Sequence, residues 1–548
     1  MAPLDTSPPS LLYWIAAGIL LAAIVAIRYI RGSTLKDIRG PRSSSFWTGN
    51  IGDYKYQREV GELEFQWLKK YGGAWKIHDP LGGERLMLAD PKGLQYVLQT
   101  SGYRFPKNAI SQGEIHMIFG DGILWAQGDQ HRKHRKIMNP AFSVPQLKSF
   151  LPVFLGYAEK LVQKWKEEEI TPGQGAVEPV INVYSWLSRT TLDVIGEVGF
   201  GFQFGSLNNK KSELAAAYEG LFLEGNLYPA RWFLVFRSLW RYIPASVLWY
   251  MRYLPNRESR RFRDYLDYLR KFGRELVSQA QVDNEAAAKD VMSVLLRANG
   301  AEEASLKLSD IELIDQISNI ILAGHDTSSS TLSFWLLELA RHPDWQRRVR
   351  EEIRAVRRKL ADAGESGFSL ADLEGMSVMH ATLKEAMRLH PIVPSLERKA
   401  GQDDVIPLAN PIIGKSGKAI TSIPVKKGQE IHINIGSYNR NPEVWGADAD
   451  EFNPDRFSKL DKSGMTPVGL YANLLTFSAG VRGCIGWRFA IIEIQAIAAT
   501  LIENYEFALP PQTKENAVRR MPTVIMAPAT DAHPEGWLGL KVKYCGEK

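Results

Sequence analysis

The chemistry in this chain is concentrated in two short segments. The first is Phe477-Ser-Ala-Gly480-Val-Arg482-Gly483-Cys484-Ile-Gly486. A cysteine that holds a metal needs backbone N–H donors around its sulfur, and Gly480, Gly483 and Gly486 let the backbone come close. An apolar helix starts directly afterwards (Trp487-Arg-Phe-Ala-Ile-Ile), so its positive N-terminal end favours a thiolate. Arg482, two residues before the sulfur, can pair with an anionic group of a bound cofactor. A lone cysteine is more often a buried structural residue, but a Gly-Arg-Gly frame would be wasted on one. The second segment is Ala323-Gly324-His325-Asp326-Thr327. Gly and Thr are poor helix-interior residues, and a cost without a packing gain points to function. The plain alternative is that Thr327 bonds a carbonyl one turn back, with Ser328 to Ser330 as small packing residues.

Both segments need long elements to position them. Residues 309–341 are predicted as one helix. Ser309 with Glu312 makes a capping box, Ile311, Ile314 and Leu322 supply an apolar face, and His342-Pro343 ends it. Such a helix is roughly 50 Å long and crosses a whole domain. A last helix is expected near 486–504. Residues 61–100 read as a helix and then a small sheet, with a turn, strand and stop in "GGERLMLADP" (82–91). From about 130 to 400 the pattern is mostly helical, followed by Pro/Gly-rich loops and short strands. The expected fold is mainly α with minor β, in one large domain.

Composition narrows the function classes. The 548 residues are 45% hydrophobic, ample for a core. Cys484 and Cys545 are the only cysteines, which excludes a disulfide scaffold and four-cysteine zinc or iron–sulfur sites within one chain. Of the net charge of +6, residues 28–42 carry +4 (Arg28, Arg31, Lys36, Arg39 and Arg42 against Asp37). The remaining excess is too small to suggest nucleic-acid binding. The basic cluster follows Leu11 to Ile27, an uncharged apolar run suited to a membrane-spanning helix. No Lys or Arg precedes the run and no good cleavage site follows, so an anchor is favoured over a signal peptide. The positive-inside rule then keeps the large C-terminal part cytosolic. The expected organisation is an anchor over 1–30, a basic, Pro-containing hinge and domain start over 31–60, and a catalytic domain over 61–548.

The Cys484 loop resembles the heme-binding loop of cytochrome P450s, Phe-x-x-Gly-x-Arg-x-Cys-x-Gly, with every fixed position matched. The resemblance implies the cytochrome P450 fold and heme b (iron protoporphyrin IX) with Cys484 as its axial thiolate. Phe477, Gly480 and Gly486 then belong to the cofactor loop. Glu385 and Arg388 in "LKEAMRLHP" resemble the family's Glu-x-x-Arg, and Arg456 in "FNPDRF" stands where the third member of that structural triad belongs. Ala323 to Thr327 resembles the oxygen-activation motif. That implies that Gly324 opens a groove for dioxygen, Thr327 hydrogen-bonds bound oxygen and Asp326 helps relay protons, with no catalytic role for His325. Heme propionates need cations, and the resemblance offers Arg482, Arg135, His131 and Arg398. Arg132, Lys133 and Lys136 are either a solvated helix face or a docking site for an acidic electron donor.

The implied chemistry is monooxygenation with O2 and two electrons. Only 64 residues follow Cys484, which leaves no room for a flavin or ferredoxin module. The expected donor is an NADPH–cytochrome P450 reductase, with cytochrome b5 as a further candidate, at the endoplasmic reticulum membrane. Residues 212–253 hold eleven aromatics, either core helices or a channel lid that dips into the membrane surface. Substrate-pocket positions implied by the resemblance are Ile320, Ala323, Gly324, Ile392, Val393, Leu396 and Val524, with part of 109–124. Nearly all are apolar, and no buried cation is evident to bind a substrate carboxylate. A terpenoid or sterol of fungal secondary metabolism is the first expectation, a fatty acid or aromatic polyketide the second. A reductase-independent isomerase or dehydratase, and a non-catalytic heme sensor or membrane scaffold, are the competing functions. The intact Asp326-Thr327 pair argues against both.

Overall fold

The helix predicted over 309–341 organises the molecule. In the computed structural model, which describes residues 33–170, 178–208, 229–282, 290–303, 305–459, 465–511, 513, 517–522 and 525–546, the helices that position the site are α1 (Ala109–Phe119), α2 (Gly128–Met138), α3 (Val144–Lys164), α4 (Val183–Phe200), α5 (Arg257–Val282), α6 (Asp310–Arg341), α7 (Ser377–Leu389) and α8 (Trp487–Asn504). Four strands, β1 (Ala74–Asp79), β2 (Gly83–Leu88), β3 (Ser395–Lys399) and β4 (Glu430–Asn434), make the largest sheet. The architecture is mainly helical with minor strands, as expected.

Local rules explain where α6 starts. Ser309 accepts the Glu312 N–H, and Glu312 reaches back to the Ser309 N–H at 2.8 Å, so the capping box is complete. α6 packs against α4, α5, α7 and α8, and α8 packs on α3. Between Glu312 and Ala340 every residue of α6 is buried except Ala323, Gly324 and Thr327. Burial on all sides marks a central helix. The three exceptions lie on one face and form an accessible window.

The strand order is β1-β2-β4-β3, with β2 and β4 parallel and the outer pairs antiparallel. Alternation along β3 puts Arg398 and Lys399 on opposite faces. One hydrophobic core extends from Leu35 to Val542. Leu35 and Ile38 are already inside it, and Arg39 O accepts the Lys76 N–H of β1 at 3.0 Å, so the chain packs onto the sheet within its basic run. The expected anchor, Leu11 to Ile27, lies outside the described residues. Among the described residues no helix is long and apolar enough to cross a membrane.

Candidate functional site

Cys484 sits between a short helical turn, Gly480–Arg482, and the start of α8. Its N–H donates to Phe477 O at 2.9 Å, and the Gly483 N–H donates to Gly480 O at 3.0 Å, which closes the loop. The three glycines have different roles. Gly480 has φ +64°, and a Cβ there would lie 1.9 Å from Leu98 O, so only glycine fits. At Gly483 the obstacle would be the Leu470 side chain, at 2.5 Å. Gly486 has ordinary φ, and a Cβ there would make only an ordinary contact, 3.6 Å from the Phe142 ring, but its N–H faces the Cys484 sulfur.

The Cys484 side chain is accessible, yet protein surrounds it closely enough for burial to push its thiol upward; the Gly486 N–H and the Arg135 charge act in the opposite direction. A thiol at the floor of a cleft has both properties. Arg135, on α2, donates to Gly483 O at 2.5 Å and thereby ties α2 to the cysteine loop.

Arg135 belongs to a larger set of cations. Arg398 on β3 is buried, and burial with the charge of Arg482 lowers its guanidinium to about 10. Lys107 is buried and held well below the usual range by desolvation and by Arg482 and Arg398. Desolvation also lowers Arg482 and Arg135. Arg482 donates to Ala126 O at 3.0 Å and lies 5.2 Å from the Tyr103 ring centre. His131 is bonded to the Tyr103 hydroxyl at 2.8 Å, and burial among these cations depresses it to about 3. It therefore offers an anion a neutral N–H rather than a charge. Among the described residues none of Lys107, Arg135, Arg398 and Arg482 has a carboxylate partner within ion-pair distance. Two buried cations, Lys107 and Arg398, and two half-buried ones, Arg135 and Arg482, none with a carboxylate partner, fit a cofactor that carries two carboxylates, and the accessible Cys484 thiol next to Arg135 fits its iron, as in heme.

Lys107 and Tyr103 were not singled out from the sequence. The signal for Lys107 was its position between buried Phe105 and Asn108, which caps α1 by accepting the Ser111 N–H at 2.8 Å.

On α6, Thr327 Oγ1 donates to Ala323 O at 2.7 Å. The structure thus holds the back-bonded arrangement, with the hydroxyl on the accessible face. Gly324 has a packing reason, because a Cβ there would stand 2.7 Å from Ile195 Cδ1 of α4. Asp326 is buried away from the window, and its charge adds to burial in raising the phenols of Tyr184 and Tyr265. His325 is buried, with Nδ1 at 3.0 Å from Ile321 O. Ile320, Ala323, Gly324 and Thr327 form one stripe of α6, at positions i, i+3, i+4 and i+7. Ile392 is buried, with its carbonyl accepting the Met526 N–H at 2.7 Å; Val393 and Leu396 are half-buried, and Val524 lies outside the described residues.

Glu385, Arg388 and Arg456 come together behind this site. Arg388 is bidentate to Glu385 (2.8 and 2.9 Å), both side chains being fully buried, and Arg456 Nε reaches Glu385 Oε1 at 3.3 Å. Arg388 also donates to the carbonyls of Asn439, Ala449 and Glu451. On α2, Arg132 pairs with Asp129, Lys133 with Glu312 and Lys136 with Glu302. Arg132 and Lys136 stay largely exposed despite these partners.

The cytochrome P450 family model matches residues 39–533. Cytochrome P450 monooxygenase 205 of Postia placenta is 34% identical over 520 residues, covering 91% of this chain and 92% of that protein. Ganoderic acid synthetase CYP5150L8 of Ganoderma lucidum is 32% identical, covering 90% and 92%. Cytochrome P450 monooxygenase claW of Ampulloclitocybe clavipes is 31% identical, covering 90% of each.

Proposed function

The chain belongs to the cytochrome P450 family, and from that membership we propose that it inserts one oxygen atom of O2 into a lipophilic small molecule, a terpenoid or triterpenoid first. The family is one of heme-thiolate oxidoreductases. One observation supports the assignment of its cofactor to named residues: the accessible Cys484 thiol adjoins Arg135, and Lys107, Arg398 and Arg482 cluster together without carboxylate partners. Cys484 would bind the iron, and Arg398, Arg482, Arg135, Lys107 and His131 would hold the propionates. Bound heme supplies the activation of dioxygen by two electrons and two protons, with one oxygen atom going to substrate and one to water.

The chain's own residues supply position and protons. The Thr327 hydroxyl proton rests on Ala323 O, and rotation about χ1 presents it to a ligand on the window face. Asp326 is the nearest acid on the helix and would restore that proton from the buried side. Apolar Ile320, Ile392, Val393 and Leu396 would exclude water around an apolar substrate.

The terpenoid choice is supported by one relative, the ganoderic acid synthetase. The membrane reading is supported by exposed aromatics at Phe46, Trp47, Trp232, Tyr250 and Tyr253, of which Trp232 is 71% exposed. Residues 229–231 join residue 56 through the Tyr56 hydroxyl bond to Pro229 O and the Arg231–Tyr56 stacking, which brings the two exposed segments close together. An NADPH–cytochrome P450 reductase in the same membrane would be the electron donor.

The test is expression of the full chain with a fungal reductase in yeast, which makes lanosterol and other sterols itself. A thiolate-type ferrous–CO spectrum together with oxygenated triterpenoids absent from Cys484→Ala cells is the expected result. A protein without that spectrum would refute the heme-thiolate reading. A good spectrum with no new product would remove sterols from the substrate class.

A further inference from the structure

A second cavity, of about 160 Å³, opens between α1, β3 and residues 241–248. Its wall from α1 includes Gln112 and His116; Arg241, Lys399, Trp125 and Leu248 complete it. The His116 ring is fixed in place: it lies 4.4 Å from Trp125 and 4.2 Å from Trp249, and its Nε2 is 2.9 Å from Asp121 Oδ1. Such a wall is preformed and needs no ordering when a ligand arrives.

One cation at this cavity stands apart from the ion pairs around it. Arg85 pairs with Asp79 at 2.9 Å and with Glu397 at 2.6 Å, and Arg241 pairs with Asp79 at 3.1 Å. Two carboxylates thus answer two guanidiniums. Glu430 is bonded to Asn108 at 2.8 Å, and burial pushes its carboxyl toward the neutral form. Lys399 remains: among the described residues its ammonium has no ion-pair or hydrogen-bond partner, and neither has the Gln112 amide. Arg241 uses Nε for Ser238 O and Nη2 for Asp79, which leaves Nη1 free. Lys399, Arg241 and Gln112 thus line one space, together with the Asp121-bonded His116 and with apolar Ala109, Ile243 and Leu248.

The cavity is linked to the window through α1. Ala109, Gln112, Gly113 and His116 of α1 line the cavity, and the last residue of this helix, Phe119, accepts the Asn319 Nδ2–H of α6 at 3.1 Å, one residue before the Ile320 stripe. We propose that this cavity holds the carboxylate of an elongated lipophilic acid, bound by Lys399, Arg241 and Gln112, with its apolar body lying along α1 toward the Thr327 window. This rests on the monooxygenase reading and makes the substrate class a lipophilic carboxylic acid.

The test uses the full heme-loaded chain in detergent, with oleate and methyl oleate as probes, and binding read by equilibrium dialysis and by the heme spectral shift. The wild type is expected to bind oleate about tenfold more tightly than the ester, since one charge-assisted contact has that magnitude. Lys399→Gln abolishes the preference and keeps the affinity for the ester; Gln112→Leu reduces the preference through a second residue. Equal binding of the two probes, binding of neither, or an equal loss of both in Lys399→Gln overturns the proposal. Phosphatidylserine vesicles that displace oleate from the wild type but not from Lys399→Gln would instead assign the site to a lipid headgroup. The ferrous–CO spectrum of each variant separates this result from the parent reading: loss of the thiolate band in the wild type refutes that reading, whereas the dialysis preference stands independently of the spectrum.

Discussion

Ser328 Oγ donates to Glu493 Oε2 at 2.5 Å where α6 meets α8. This bond joins the helix of the accessible window to the helix that follows Cys484. Glu493 is completely buried, and its Oε1 has no partner among the described residues. Burial raises its carboxyl from 4.5 to about 8, with Ser328 lowering it only in part. At neutral pH it is therefore held as the acid.

The sign of the resulting pH dependence follows. Between about pH 4.5 and 8 the unfolded chain has lost this proton and the folded chain keeps it. Stability falls as pH rises through that window, by roughly 5 kcal/mol in total, and the loss stops above it. Glu493→Gln should flatten this part of the profile and raise Tm most at pH 8. Melting curves of both proteins from pH 5 to 9 check this. Parallel profiles would mean that Glu493 is not held protonated.

Thr327→Ala removes the one side-chain hydroxyl on the α6 window and leaves the Gly324–Ile195 packing untouched. NADPH consumption should persist while product per NADPH falls about tenfold or more, the scale of a lost positioned proton donor. Product and peroxide measured together decide the matter. Full coupling in the variant would exclude Thr327 from the proton path.

Lys107→Ala and Arg398→Ala each remove one buried cation that lacks a carboxylate partner. Without an anion bound, these charges repel one another, so their removal should leave the heme-free fold at least as stable as before. Heme loss to an acceptor globin should accelerate about tenfold for each variant. An unchanged loss rate for both would separate these cations from the cofactor.

Glu385→Ala leaves Arg388 and Arg456 buried without their shared carboxylate. Breaking a buried pair from one side costs about 3–5 kcal/mol. The variant should yield little folded protein, and Arg388→Lys should not rescue function, because lysine cannot reproduce the bidentate pair and the three carbonyl bonds. Soluble yield and the CO spectrum measure both effects. Wild-type yield from Glu385→Ala would contradict the structural role.

Several features were legible because they are local. The Ser309–Glu312 capping box lies within one helical turn and was readable as residue types, and so was the break at His342-Pro343. The Cys484 loop is a single run of ten residues. Other features depended on segments far apart in the chain. Glu385 and Arg388 had the spacing of an exposed helix pair and are fully buried. Arg132, Lys133 and Lys136 read equally as a docking patch or a solvated helix face, and the chain order does not reveal that Glu312 and Glu302 stand beside two of them. The expectation that no buried cation is evident for a substrate carboxylate was drawn from the chain order, and the half-buried Lys399 lines its cavity only because β3 packs beside α1.

The amino-acid order alone determined the helix ends, the cysteine loop and the family, because capping, helical spacing and glycine's backbone freedom act over a few residues. Tertiary structure alone decided which charges are buried and which find partners. Lys107 meets Arg398 and Arg482 only after α1, β3 and the cysteine loop are packed together. Ser328 meets Glu493 only where α6 touches α8. Charges attract over a few ångströms and lose their water only when protein surrounds them. Neither condition is recorded in the spacing of residues along a chain.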